Sequence, residues 1–244
     1  MTRMDQQTQV FASEAGDNPL LAEWGGPFGV AAFGRIKPEH FRSAFARAFA
    51  AHAAEVAAIA GNADAPTFAN TIDVLESSGA MLTRAVDLFH LLAGAHTNDA
   101  ILAIERELAP LKAKHWDRIL MDEALFGRID TLYRTRERLA LSAEQRRVLE
   151  RYHLKFTRAG AALDAAAKAR LADINERLAT LGTTFSQNVL ADEQSYALVL
   201  DGEDDLAGLP DFVRAARPAR KGFSRLDRAA RRIAGTARRS SAKW

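Results

Sequence analysis

The stretch from Leu171 to Leu200 constrains the fold more than any other part of the sequence. Its apolar residues recur at steps of three and four, the spacing that places side chains along one side of an α-helix. Asp164 can cap the first turn, so the helix is predicted over about 164–190, roughly 40 Å at 1.5 Å per residue. A stripe of this length needs packing partners, and we expect the rest of the chain to supply them. The stripe consists of Leu171, Ile174, Leu178, Leu181, Phe185 and Val189.

Several shorter apolar repeats with helical spacing precede this segment. One begins at Pro38, and a second runs from Thr67 to Gly94 with Gly79 in its packing seam, where glycine permits close approach of a neighbour. Asn98 is predicted to cap the next helix, which Pro110 should kink or break. Further helices are predicted over Ala124–Leu139 and from the capping box Ser142–Gln145. The chain is therefore predicted to be all-α, an antiparallel multi-helix bundle or array.

Two stretches do not have the helical pattern. Asn18–Lys37 is rich in glycine and proline and holds three large aromatic residues, which predicts an extended arm laid over the core. Tyr196–Leu200, directly after the long helix, is short and rich in β-forming residues and is predicted to be a strand.

The net charge of +2 hides a division between body and tail. Arg214–Trp244 contains eleven basic residues and one acidic residue, whereas acidic residues outnumber basic ones before it. We therefore predict a flexible amino terminus over 1–17, a helical lobe over 18–212, and an arginine-rich tail over 213–244 that is disordered.

Composition excludes several classes of protein. There is no cysteine, so disulfides and thiolate metal sites are excluded. No run of about 18 apolar residues occurs, and no membrane-spanning helix is expected. The first sixteen residues lack the apolar core of a signal peptide, which favours a cytoplasmic location.

Histidine is the side chain that most often holds a catalytic zinc ion. The sequence has six histidines, and none of them is followed by glutamate. The His-Glu-x-x-His zinc motif is therefore absent. Glu150 and His153 have the Glu-x-x-His spacing found in helical bundles that bind carboxylate-bridged metals. This spacing is the only support for one alternative function, a metal-bundle oxidoreductase. No second copy accompanies it, and a helix-surface pair is the simpler interpretation. His52 is interpreted as a core or edge histidine, and His96 as a residue that bonds to loop backbone at a helix junction.

Other candidate sites are also weak. Gly25–Gly29 lacks the strand–turn–helix context of a phosphate-binding loop. Glu203–Asp205 lacks the alternating ligands of a calcium loop and is interpreted as a solvated turn. The basic tail has the charge needed for phosphate contacts but no recognised nucleic-acid fold, so nucleic-acid binding is not favoured. Its cations are Arg217, Arg220, Lys221, Arg225, Arg228, Arg231, Arg232, Arg238, Arg239 and Lys243.

Six short motifs occur along the chain in the same order as in a known family. Together they resemble the amino-terminal part of the thimet-oligopeptidase family of zinc metallopeptidases, particularly its bacterial peptidyl-dipeptidase and oligopeptidase members. The resemblance covers about 18–212. The motifs are Asn18–Leu21, Pro27–Phe28, Ile36–Phe41, Pro66–Ile72 with Leu75–Gly79, Ala93–Asn98, and Leu181–Asn188.

The resemblance implies a cytoplasmic hydrolase that removes carboxy-terminal dipeptides from short peptides. In this family a helical shell encloses a channel, and zinc is held by His-Glu-x-x-His and a downstream glutamate that lie in the carboxy-terminal half. No catalytic, cofactor-binding or metal-binding residue can therefore be carried over to this sequence. The segment here corresponds to the lobe that forms one wall of the channel.

The resemblance ends after Phe212, where the charge reverses and apolar periodicity is lost. We interpret this change as a truncated or frameshifted reading frame and expect the chain to be inactive alone. Surface that would face a missing half is then exposed, which predicts self-association through apolar patches. The alternative is a stand-alone helical module that binds peptides or, through its tail, nucleic acid.

Overall fold

The computed structural model describes residues 18–22, 24–25, 27–195 and 204–215. All regular structure in these ranges is helical, which confirms the all-α prediction. The predicted strand Tyr196–Leu200, the amino terminus 1–17 and the tail from 216 onward lie outside the described residues. The α-helices are α1 Glu39–Ala60, α2 Val74–Ser77, α3 Ala80–Ala95, α4 Asp99–Leu120, α5 Glu123–Thr135, α6 Ala143–Arg158, α7 Ala165–Ser195 and α8 Asp211–Ala215.

Local capping signals decide where the helices begin. The Asn98 side chain accepts a hydrogen bond from the Ile101 amide at the start of α4. Ser142 and Gln145 form the predicted reciprocal capping box of α6. The Asp164 carboxylate accepts from the amide of Ala167, as predicted, although α7 continues five residues beyond the predicted end. Each cap satisfies an amide that the first turn leaves without an intrahelical partner.

The repeat that begins at Thr67 is not one helix, and this prediction was wrong. It starts as a π-helical segment, Phe68–Asp73, continues as α2, and breaks before α3. At the break Gly79 adopts a left-handed conformation with φ +72°. The apolar spacing continues across the break, so periodicity alone did not reveal it. Glycine does provide the predicted close approach, because a Cβ at Gly79 would lie 3.1 Å from the His52 ring.

Pro110 does not break α4, which runs unbroken from Asp99 to Leu120. Buried side chains lie on both sides of the proline, with Leu108 before it and His115 and Ile119 after it. Burial of both halves along the same side of the helix offsets the loss of one backbone hydrogen bond.

Two separate apolar clusters form the interior of the first unit. The first core contains Leu20, Phe41, Phe45, Leu82, Leu88, Phe89, Ile101, Ile104 and Leu108. The second core contains Val56, Ile59, Ile72, Leu75, Ile119, Leu125, Ile129, Leu132, Leu149 and Phe156. Helices α1 and α4 contribute to both cores. Between the two contributions, each helix carries a buried histidine, His52 on α1 and His115 on α4.

The described residues fall into two compact units, with the boundary after Thr184. In the first unit the arm begins as predicted, because Leu20 is 1% exposed and Asn18 donates to the side chain of Ser43. Further along, Phe28 is fully exposed. In the second unit the connector Leu206–Phe212 contains the end of a 3-10 turn, Asp204–Leu206, and the start of α8.

No helix in the described ranges has both the length and the apolar character needed to span a bilayer.

The first unit does not bury all of its part of the apolar stripe of α7, contrary to the prediction that the rest of the chain would cover it. Leu178 is 60% exposed and Leu181 is 55% exposed. Polar contacts tie the preceding turns of α7 to the rest of the unit. Lys168 pairs with Glu123 at 2.9 Å, Lys114 pairs with Glu176 at 2.9 Å, and Asn175 donates to Asp117 at 2.7 Å.

Candidate functional site

A chain of hydrogen-bonded side chains separates the two cores. His52 Nδ1 lies 2.9 Å from His115 Nε2, and His52 Nε2 lies 3.3 Å from the Ser78 hydroxyl. Ser78 donates its only proton to the Leu75 carbonyl at 2.7 Å. Its oxygen must therefore accept from His52 Nε2–H, and His52 Nδ1 must accept from His115 Nε2–H. The arrangement assigns one tautomer to each ring.

Burial favours the neutral form of both imidazoles. It lowers the pKa of His115 to about 4, and the charge of Arg118 and any protonation of His52 act in the same direction. Burial also lowers the pKa of His52, against the opposing effect of the nearby Glu55 carboxylate. Glu55 also accepts from the Gly79 amide at 2.6 Å, which holds the left-handed joint against α1.

This polar chain lies beside a cavity of about 350 Å³ bounded by α1, α3, α4, α6 and the segment that contains α2. The volume falls in the range of small-molecule sites, which helical bundles often form between facing helices. Apolar side chains form much of its wall, namely Phe49, Leu75, Leu82, Val86, Trp116, Ile119, Leu120 and Phe156.

Charges of both signs line the same cavity. The carboxylates are Glu76 and Asp87, and the ammonium groups are Lys112 and Lys155. None of the four forms an ion pair with another described residue. Their closest polar or aromatic contacts are weaker ones: Lys112 lies 3.3 Å from His90 Nε2, Lys155 lies 5.3 Å from the ring centre of Trp116, and Glu76 accepts a hydrogen bond from Tyr152.

Desolvation affects two of the polar groups in this cavity. It lowers the pKa of Lys112, and burial together with the Glu76 carboxylate raises the pKa of Tyr152. Lys112 and Tyr152 are half-buried, whereas Glu76, Asp87 and Lys155 are exposed. A charged ligand group placed beside Lys112 would therefore interact more strongly than at the open surface.

The Glu150–His153 pair predicted on α6 does not form a contact of its own. His153 Nε2 lies 3.0 Å from Asp130, and its ring stacks on Tyr133 with centroids 3.8 Å apart. Glu150 lies 3.6 Å from Arg147. Within the described residues, no three histidine or carboxylate side chains converge as a metal site requires.

The remaining candidates occupy ordinary structural positions. His52 is a core histidine, as predicted. His96 ends α3, and its backbone amide donates to the Leu92 carbonyl. Gly25–Gly29 includes the 3-10 turn Pro27–Gly29. Of the acidic turn Glu203–Asp205, Glu203 lies outside the described residues and Asp204 begins a 3-10 turn.

Sequence reasoning did not single out His115 or the cavity beside it. A signal for His115 was present, because it lies seven residues after Leu108 and four before Ile119 on the apolar side of α4. Its pairing with His52, 63 positions away, is a tertiary contact that spacing along the chain does not encode.

Comparison with known proteins indicates the family. No family-wide sequence profile matches the chain. The chain is 37% identical over 206 residues to dipeptidyl carboxypeptidase of Escherichia coli K12 and 36% identical to its counterpart in Salmonella typhimurium LT2. It is 26% identical over 203 residues to oligopeptidase A of Salmonella typhimurium LT2. The chain is a relative of the amino-terminal part of these peptidases. The resemblance predicted from the six motifs is confirmed.

The match spans only part of each relative. The match to dipeptidyl carboxypeptidase covers 84% of this chain but only 30% of the relative. For oligopeptidase A the corresponding shares are 83% and 29%. The chain thus spans under a third of the length of the peptidases it matches.

Proposed function

We propose that residues 18–212 form one wall of the substrate channel in a peptidase of this family. In this proposal the assembled enzyme is cytoplasmic and removes carboxy-terminal dipeptides from short peptides. The proposal is supported by the names of the relatives and by the share of their length that the chain matches. The lobe would limit entry to unfolded peptides and position them against a catalytic part.

The exposed stripe on α7 is the observation that carries this proposal. Leu178 and Leu181 are spaced for packing on one helix side, yet within the first unit both are more than half exposed. Burying such a side chain contributes about 1.5 to 3 kcal/mol. A helix that carries an apolar stripe and is held to its own unit by ion pairs is suited to pack against further protein.

The described residues do not form a set of zinc ligands. They place no three suitable ligands together, and the 244 residues contain no His-Glu-x-x-His motif. We propose that the metal and its ligands belong to the part of the family's chain that this sequence does not match. The chain alone is then expected not to hydrolyse peptides.

A chimaera tests the channel-wall proposal. In E. coli dipeptidyl carboxypeptidase, this chain would replace the region matched by its 206 residues, and chelator-sensitive release of dipeptides from a blocked tripeptide would be measured. We expect activity within about tenfold of the parent enzyme. The same chimaera carrying Leu178→Glu and Leu181→Glu should lose most of it. A folded, zinc-loaded chimaera without activity would contradict the proposal.

A second experiment tests the chain by itself. Purified chain, supplied with zinc, should release no dipeptide from an N-blocked tripeptide above the rate of a buffer control. Robust cleavage that a chelator abolishes would show that these residues form a complete enzyme.

The charged cavity favours the peptide-binding form of the alternative, a stand-alone binding module. Under that alternative the chain binds peptides without any catalytic partner, and the chimaera should be inactive even though this chain is folded. Nucleic-acid binding has no comparable support, because the cations proposed for it lie outside the described residues.

A further inference from the structure

We propose that the cavity bounded by α1, α3, α4 and α6 is a binding site for a small zwitterion, a free dipeptide with an apolar side chain. The inference rests on the proposed function only in choosing a dipeptide among molecules of this class. The size of the cavity, its apolar wall and its charges of both signs point to a ligand of this class.

The apolar wall defines one part of the ligand. Phe49, Leu82 and Trp116 line the cavity from three different helices, and Trp116 is 38% exposed. An aromatic side chain placed here would cover the indole and replace water on its surface, which favours binding. A cavity of about 350 Å³ accommodates one such side chain and a short backbone.

The charged groups define the other part of the ligand. A carboxylate would find an ammonium partner in Lys112 or Lys155, and an amine would find a carboxylate in Asp87 or Glu76. A ligand with only one charge would leave the opposite pair unused, whereas a zwitterion engages both signs. Lys112 is the better placed of the two ammonium groups, because it is partly desolvated; its neighbours are His90, 3.3 Å away, and the carboxylate of Glu105.

The buried polar chain gives this cavity a rigid floor. Ser78 and His52 both line it, and each is held by a hydrogen bond, Ser78 to the Leu75 carbonyl and His52 to His115. A side chain locked in this way loses little freedom when a ligand arrives, so less of the binding energy is lost to ordering.

Titration of the full 244-residue chain with alanyl-phenylalanine tests the site. Heat of binding and tryptophan fluorescence would be recorded at pH 7.5. We expect a dissociation constant on the order of 0.1 to 1 mM, as for a ligand of this size. Trp116→Phe should remove most of the fluorescence change and weaken binding only a few-fold, because phenylalanine keeps an aromatic wall.

Blocked forms of the same dipeptide test the charge requirement. Acetylation of the amine or amidation of the carboxylate should each weaken binding about tenfold, and the doubly blocked form should not bind measurably. Equal binding of blocked and free forms would overturn the proposal, as would absence of binding by free dipeptide at about 10 mM.

Two variants and a matched control locate the ligand. Lys112→Met and Asp87→Asn should each weaken binding about tenfold without changing the thermal midpoint. Lys114→Met removes the same charge two residues along α4, where the lysine pairs with Glu176 outside the cavity, and should leave binding unchanged. Binding that survives both cavity variants would place the ligand elsewhere and refute the site.

The outcome of the dipeptide titration does not depend on whether the channel-wall proposal is correct. The titration measures dipeptide binding to the chain alone, whereas the chimaera measures cleavage by an assembled enzyme. An active chimaera built on a chain that does not bind dipeptide would reject the cavity site and leave the channel-wall proposal intact.

Discussion

The guanidinium group of Arg128 donates from Nη2 to the side-chain oxygen of Asn70, 2.8 Å away. Its Nη1 donates to the carbonyls of Asn62 and Asp64, so one buried side chain fixes the loop between α1 and the π-helical segment. Asn70 in turn closes the capping box with Thr67. A loop without regular structure is thereby anchored to α5.

Arg128→Met should destabilise the chain by about 3 kcal/mol, because it leaves the carbonyls of Asn62 and Asp64 without this donor and removes one of the hydrogen bonds to the Asn70 oxygen. Arg128→Lys should restore part of this stability, since an ammonium group reaches one or two of these acceptors. Urea unfolding followed by circular dichroism measures both. Arg134→Met, at a side chain 77% exposed on the same helix, is the control and should change stability by less than about 0.5 kcal/mol. Equal effects at the two positions would contradict the anchoring role.

Stability should fall as the pH is lowered from 6.5 toward 4. The folded pKa of His115, about 4, lies below the ordinary value of 6.5, so the unfolded chain binds the proton first. The contribution is complete above pH 6.5 and decreases through this window by up to about 1.4 kcal/mol per pH unit. The nearby charges are Glu55 and Arg118, and the pKa of His52 is shifted in the same direction.

His115→Gln isolates this effect, because glutamine does not titrate. The slope of unfolding free energy against pH between 6.5 and 5 should be smaller in the variant than in the parent chain. Identical slopes would show that His115 does not carry the dependence.

Gly79→Ala should destabilise the chain by about 2 kcal/mol. The residue has φ +72°, which costs an L-residue about 1 to 2 kcal/mol, and the new methyl group would press on the His52 ring at 3.1 Å. Gly127→Ala is the control, since that glycine lies inside α5 with no atom within 4 Å of the added carbon. It should raise stability by roughly 0.5 to 1 kcal/mol. Thermal denaturation of both variants would show opposite shifts, and shifts of the same sign would contradict the structure.

The exposed stripe on α7 should make the isolated chain self-associate. Sizing chromatography is expected to show an apparent mass that rises with concentration, and Leu178→Glu with Leu181→Glu should reduce it to that of a monomer. Leu91→Glu, at a side chain 54% exposed on α3, should leave the profile unchanged. A parent chain that remains monomeric at every concentration would refute this prediction.

The features predicted correctly from sequence are those that depend on a few neighbouring residues. Asn98, Ser142 and Asp164 cap their helices because each side chain reaches an amide three residues away. The break at Gly79 was missed because glycine fits both a packed seam and a left-handed joint. The sequence left open whether Pro110 would kink or break α4, and only the break is excluded, because burial on both sides of the proline is a property of the assembled fold.

The candidate site depends even more on distant contacts. His52 and His115 each have the spacing of core residues, and only the folded structure brings their rings to 2.9 Å. The stripe on α7 shows the opposite error, since a pattern that normally predicts burial remains exposed within its own unit. Apolar periodicity identifies the side of a helix that packs against other protein, but it does not show whether that protein belongs to the same polypeptide.

Helix α1 supplies Phe41 and Phe45 to the first core and Val56 and Ile59 to the second. Any dissection of this lobe into smaller pieces that cuts within α1 would therefore leave both pieces without part of their interior. The shortest fragment of the lobe that folds on its own must therefore contain the whole of this helix.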